Sequence, residues 1–218
     1  MKRFSIPLCV LALAGVAVTT SGAQEVSPRA PGMIDPARVT GGTYQADAAH
    51  SLVSWRVNHL GFNDYIGLFG DVSGTLVIDP AKPQEAKVDV TVPITSVLVA
   101  SSGLREHLLR AGKKGTKPDF FGPDPAPARF VSTAVRLNPG QVTAHVEGNL
   151  TLNGVTKPVE LYIRFTGAGT GPMNKAETIG FEGRTTISRS EFGIGYGIPM
   201  VGDDVELTLT AAFEKPAA

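Results

Sequence analysis

The chain has 218 residues, with 20 basic and 20 acidic side chains and a single cysteine. Balanced charge with no clustered basic face excludes the electrostatic footprint of a nucleic-acid binder, and aromatic residues at 7% are too sparse for a base-stacking platform. Cys9 stands near the start, so nothing beyond it can form a disulfide, a thiolate metal site or a cysteine nucleophile.

The first residues read as a leader. Lys2 and Arg3 precede an apolar run from Leu8 to Val18, and Ser21-Gly22-Ala23 supplies small residues at a cleavage point, which predicts a secretory signal peptide cut after Ala23. The run falls short of the roughly 20 apolar residues of a spanning helix. Cys9 comes too early for lipid attachment. Residues 24–43 carry Pro, Gly and small polar residues without a period and read as a flexible linker. What remains, 44–216, is long enough for one sizeable domain that rests on its core alone.

That domain is written in period two. Val53, Trp55 and Val57 alternate with polar residues. Ile66, Leu68, Val72, Leu76 and Ile78 share one parity, with Gly70 and Gly74 at places that suit bends. Val88, Val90, Val92 and Ile94 follow, and Pro93 suggests an edge or a bulge, an edge through which a homodimer can form. One helix is expected, capped by Ser102, with Leu104 and Leu108 one turn apart and Gly112 at its end. After a lysine-rich loop and a proline-rich segment come strands near 129–137, 141–152, 155–166, 178–189 and 204–214, with turns at Asn138-Pro139-Gly140 and Asn153-Gly154. The last run is the cleanest: Val205, Leu207, Leu209, Ala211 and Phe213 against Glu206, Thr208, Thr210, Ala212 and Glu214. Strands with one apolar and one wet face must close into a barrel or stack as a sandwich, and the alternation alone permits a hollow barrel, a filled one or a sandwich.

Chemistry-bearing constellations are weak. His50, His59, His107 and His145 include no HExxH and no His-x-His pair, and metal ligands are not expected. His50 and Ser51 are adjacent on a strand and point to opposite faces, so they do not form a nucleophile and base pair. No Gly-x-Ser-x-Gly elbow occurs, and Gly167 to Gly171 reads as a hairpin tip rather than a phosphate loop. Lys113, Lys114 and Lys117 form the one basic cluster, either a solvated loop or a surface for transient contact with an anionic head group or membrane.

Four stretches, in order, resemble the YceI-like proteins, an exported polyisoprenoid-binding family of bacteria. They are Tyr44-x-x-Asp47-x-x-His50-Ser51; HLGFNDYIGLFG at 59–70; PDFFGPDPAPARFVS at 118–132; and LTLNGVTKPVEL at 150–161 with SRSEFGIG at 188–195 leading to Val201-Gly202-Asp203-x-Val205. The likeness spans about residues 44 to 214. Two departures stand out: the segment before Phe120 is longer and more basic than in the family, and Ala126 precedes Pro127 where an aromatic residue is common. The resemblance implies an all-β, lipocalin-like antiparallel barrel of about eight strands with one short helix. It further implies an apolar cavity, binding of an isoprenoid or similar amphiphile, no catalysis and no cofactor beyond such a lipid.

On that barrel the apolar parities nominate Val53, Trp55, Val57, Ile66, Leu68, Leu161, Ile163, Phe165, Phe181, Leu207 and Leu209 as ligand-binding, with Phe120 and Phe121 closing one end. Two other readings stand beside this one. An enzyme acting on an amphiphile would use His50, Asp47 or His59 inside the barrel, and a filled barrel would serve as a structural or stress-response partner protein.

Overall fold

The structure, a computed structural model, describes residues 30–140 and 142–215. The expected leader, and the linker as far as residue 29, lie outside the described residues. Ten strands form one antiparallel sheet: β1 (Gly42–Ala46), β2 (Leu52–His59), β3 (Asn63–Phe69), β4 (Ser73–Ile78), β5 (Lys87–Val92), β6 (Ala128–Leu137), β7 (Thr143–Leu152), β8 (Val155–Thr170), β9 (Glu177–Ser188) and β10 (Val201–Lys215). One short helix, α1 (Ser102–Leu109), follows β5.

The ten strands make eight staves of a closed barrel. β10 is long enough to pair with two partners on one side: Val201 through Thr210 run against β2, and Phe213 and Glu214 against β1. β1 and β2 are therefore one stave broken at residues 47–51, and β3 and β4, paired with β2 and β1 respectively, are a second broken at 70–72. The remaining six follow in order from β5 to β10, and β1 on β10 closes the ring. At the first break Ser51 replaces the missing ladder bonds. Its Oγ accepts from the Ala212 amide at 3.0 Å and donates to the Ala212 carbonyl at 3.3 Å, which is why this serine is buried.

Each break slips the alternation by one residue, and a one-residue slip sends every following side chain to the other face. Val53, Trp55 and Val57 stand opposite Phe69, Gly67 and Tyr65, so the inner residues of β3 have odd numbers. Past Gly70 and Asp71, the latter at φ 54°, the inner residues of β4 have even numbers, Leu76 among them. The shared parity expected from Ile66 to Ile78 is thus two phases.

One end of the barrel carries the 60–62 turn, residues 93–127 with α1, the 153–154 turn and residues 189–200; this is the helix end. Pro93 ends β5 there and opens a short 3-10 turn, so the chain leaves the sheet and β3 is left as an outer edge bridged only at Leu68 and Leu98. Ser101, not Ser102, caps α1 by accepting from the Leu104 amide at 3.2 Å, and the helix ends at Leu109 with Arg110 as its C-cap, before Gly112. The opposite end carries residues 79–86, the connection between β6 and β7 and the 171–176 turn.

The same opposite end carries the stretch read as a linker. From Ala30 onward it makes specific contacts: Met33 exchanges both backbone hydrogen bonds with Ala168, and Arg38 donates to the carbonyls of Pro31 and Ala168. This strap sits beside β8 where β7 has ended. Gly167 and Gly169, expected in a hairpin tip, lie within β8, and a Cβ on Gly169 would collide with the Pro31 carbonyl.

Candidate functional site

A cavity of about 380 Å³ runs along the barrel axis. Among the described residues its wall is Val, Leu, Ile, Phe, Trp, Ala and Pro, with only Thr185, Thr210 and Arg189 as exceptions. Packed interiors leave few voids larger than a water molecule, so a space of this size is a built feature. It lies within the roughly 300–1,000 Å³ typical of small-molecule sites.

Three inward glycines help to keep it open. Trp55 lies flat on Gly67, the Phe130 ring covers Gly148, and the methyl ends of Leu209 and Ile163 cover Gly183; in each case a Cβ would collide with the covering side chain. Large residues therefore fold against the wall instead of filling the axis. Trp55 also stacks near Tyr65, with ring centroids 6.3 Å apart, and its buried Nε1–H finds no acceptor among the described residues.

Among the described residues Arg189 is the one charged residue in the wall. It is buried, and its guanidinium donates to three main-chain carbonyls, those of Ile194 (2.8 Å), Val201 (3.0 Å) and Gly202 (2.8 Å). Burial pulls its pKa below the ordinary value, opposed by the charge of Asp203. Asp203 in turn accepts from the Ser190 hydroxyl and amide, which hold its carboxyl below the usual range. Arg189 thus clamps the 189–202 segment over the helix end.

Of the residues nominated from sequence, Val53, Trp55, Val57, Phe120, Phe121, Leu161, Ile163, Phe165, Phe181, Leu207 and Leu209 line the cavity. Phe120 and Phe121 do so at the helix end, beside Leu108 and Ile194. Ile66 and Leu68 do not. The phase slip after β3 puts them on the outer face, and Ile66 is 59% exposed. Leu76, Val88, Val90, Phe130, Val146 and Phe213 line it too and were not nominated, although their parity in recognised strands was readable.

The histidines stand apart from the cavity wall. His50 is on the outside, its Nδ1 2.5 Å from Asp47 Oδ2, and that carboxylate raises its pKa above the ordinary value. His107 Nε2 is 2.8 Å from Asp119 Oδ2, and its ring meets Phe120 and Tyr196 edge-on. His145 pairs with Glu160 on the outer surface, and His59 lies at the end of β2. Among the described residues no three His, Cys, Asp or Glu side chains converge as metal ligands, and no helix is long and apolar enough to cross a membrane.

A family model described as the YceI-like domain matches residues 44–213. A UPF0312 protein of Pseudomonas fluorescens is 35% identical over 169 residues, 75% of this chain and 81% of that protein. The crystal structure of Burkholderia cenocepacia BcnA superposes with a TM-score of 0.60 at 25% identity, covering 77% of this chain and 98% of that one. A polyisoprenoid binding domain from Saccharophagus degradans, implicated in plant cell wall breakdown, shares the fold at a TM-score of 0.55 and 14% identity, covering 79% and 98%. The chain belongs to the YceI-like family.

Proposed function

We propose that this member of the YceI-like family binds a long-chain isoprenoid or similar amphiphile inside its barrel and carries or stores it in the cell envelope, without catalysing a reaction. The observation that carries this reading is the cavity: about 380 Å³ walled almost wholly by hydrocarbon. Among the described residues the polar wall groups are two threonines, the Trp55 indole N–H and an arginine occupied with carbonyls, and none of them is placed as a general acid or base. The fold relative from Saccharophagus degradans, named as a polyisoprenoid binding domain, agrees with this choice of ligand class.

Each buried CH₂ is worth about 0.8 kcal/mol, so fifteen carbons yield roughly 12 kcal/mol gross. Association opposes this with about 4–15 kcal/mol. Short tails therefore bind marginally and longer ones well, until the cavity is full. The leader predicted over residues 1–23 directs the protein to the envelope, where such lipids are made and used.

Native mass spectrometry of the protein from its own envelope fraction, followed by extraction and identification of the bound molecule, tests the reading. A stoichiometric isoprenoid or related amphiphile is expected. An empty protein that also takes up none of a series of polyprenols of increasing length refutes it.

A further inference from the structure

The two ends of the cavity are closed in different ways. At the helix end the cover interlocks: Leu108, Phe192 and Ile194 are buried, Arg189 ties the 189–202 segment through three carbonyls, and Asp119 pairs with both His107 and Arg110. At the opposite end the cover is the strap and the loop at 79–86. Pro36 and Val39 of the strap and Pro80 and Pro83 of the loop line the cavity. Neither of the short 3-10 turns there, Pro36–Arg38 and Pro83–Glu85, has a buried residue. Few buried contacts mark the part of a fold that opens locally.

The strap is built as a hinged piece. Its fixed point is Thr40. The Thr40 hydroxyl donates to Glu177, its carbonyl accepts from the hydroxyl of the buried Tyr44 at 2.9 Å, and Lys215, paired with Glu177, donates to the Gly41 carbonyl at 3.1 Å. On the N-terminal side of that point, residues 30–39 make three hydrogen bonds to the barrel among the described residues, and all three fall on Ala168. Met33 and Ala168 exchange amide-to-carbonyl bonds of 3.1 and 2.9 Å, and Arg38 donates to the Ala168 carbonyl at 3.2 Å. The seat depends on Gly169, where a Cβ would stand 2.2 Å from the Pro31 carbonyl oxygen. The YceI-like match begins at residue 44, so this latch and the cover it holds precede the matched domain.

We propose that the strap is the gate of the cavity: it unlatches from Ala168, swings about Thr40 and opens the end walled by Pro36 and Val39 to an apolar ligand, while the helix end stays shut. The inference rests on the binding reading. A gate differs from a fixed wall in its kinetics. Opening precedes both entry and exit, so a looser latch raises both rate constants and cancels from their ratio.

Stopped-flow binding of cis-parinaric acid to the mature protein gives both rates, read by energy transfer from Trp55, the single tryptophan and a lining residue. Hydrogen exchange at the Met33 and Ala168 amides reads the latch without a ligand. Arg38→Ala removes one of the three bonds and Gly169→Ala sets a methyl against Pro31; neither residue lines the cavity. Each variant is expected to raise association and dissociation rates together by roughly tenfold, the worth of one lost hydrogen bond, with the dissociation constant unchanged. In the wild type the two latch amides should exchange at least about a hundredfold faster than the Ile194 amide, which is bonded to Arg189 at the helix end. Unchanged rates in both variants overturn the proposal. A rise in dissociation alone also overturns it, because the strap is then a fixed wall. Faster rates in Asp119→Asn instead place the gate at the helix end and overturn it too, as do latch amides that exchange no faster than Ile194. Local exchange at the latch in a protein that takes up no probe upholds the opening of the strap and sinks the binding reading.

Discussion

A hollow and a packed barrel answer one substitution with opposite signs. Gly183 lies inside β9, opposite Leu209 of β10 and Ile163 of β8, all on the inner face. A Cβ there would collide with Leu209 Cδ1 and stand 2.6 Å from Ile163 Cδ1. Both are methyl ends of flexible side chains, and in a hollow barrel they swing toward the axis. Gly183→Ala then keeps the gain of about 0.5–1 kcal/mol that alanine has over glycine in a strand interior. At about 2–4 °C per kcal/mol for a domain of this size, the ligand-free protein should melt roughly 1–4 °C higher. The added carbon removes space from the cavity, so affinity for a ligand that fills it should fall by about 0.8 kcal/mol, roughly fourfold. In a filled interior the same methyl overpacks, costing about 1–3 kcal/mol. Calorimetry of delipidated protein and a fluorescent-lipid titration read both quantities. A drop in melting temperature of several degrees with unchanged binding would refute the hollow barrel.

Leu161→Arg places a charge in the apolar wall and should weaken retention of a fluorescent lipid at least tenfold in a protein that still folds, whereas Ile66→Arg, on the outer face, should change nothing; normal retention by Leu161→Arg removes that residue from the site. Arg189→Met leaves the carbonyls of Ile194, Val201 and Gly202 without their donor. The bond to Ile194 is buried and the other two are part-buried, so at about 1–3 kcal/mol for one buried unsatisfied group this should cost about 1–3 kcal/mol, and a melting temperature within a degree of wild type would show that the clamp is dispensable. His50 should titrate above 6.5 by NMR, and Asp47→Asn should lower its titration point. Because its folded pKa is the higher one, the pair's stabilisation is complete below 6.5 and fades as pH rises through the raised value. A titration at or below 6.5 contradicts the Asp47 contact.

The strands were legible because alternation is local: Val205 to Phe213 alternates without a break, and the residues of β10 face as that pattern requires. The inner face of β3 was not, because it depends on an event elsewhere. Ile66 and Leu68 alternate as well as any lining residue, and only the slip at Gly70 and Asp71 decides which face they take. Glycine at a bend signals that some slip exists without giving its sign. The strap was illegible for another reason. Its bonds to Ala168 are between backbones, and Pro-rich, aperiodic sequence looks the same whether such a segment is free or pinned. Arg189 was quoted within the SRSEFGIG motif, but that three carbonyls 5 to 13 residues downstream would converge on it is a property of the closed loop alone.

Hollowness has its own sequence signal, one that alternation misses. A wall built only from Val, Leu and Phe would send its side chains to the axis and fill it, since eight strands give an interior about wide enough for side chains to meet. Here Gly67, Gly148 and Gly183 occupy inner positions opposite or diagonal to Trp55, Phe130, Leu209 and Ile163, and each large residue lies down in the place its neighbour's Cβ would have taken. The apolar surface is kept while the volume at the axis is released. Glycine in a strand interior weakens the strand, so three such positions trade stability for space. Under the binding role proposed above, the void that lowers the stability of the empty chain would be the surface that a bound apolar ligand covers, and ligand occupancy should restore what the glycines give up.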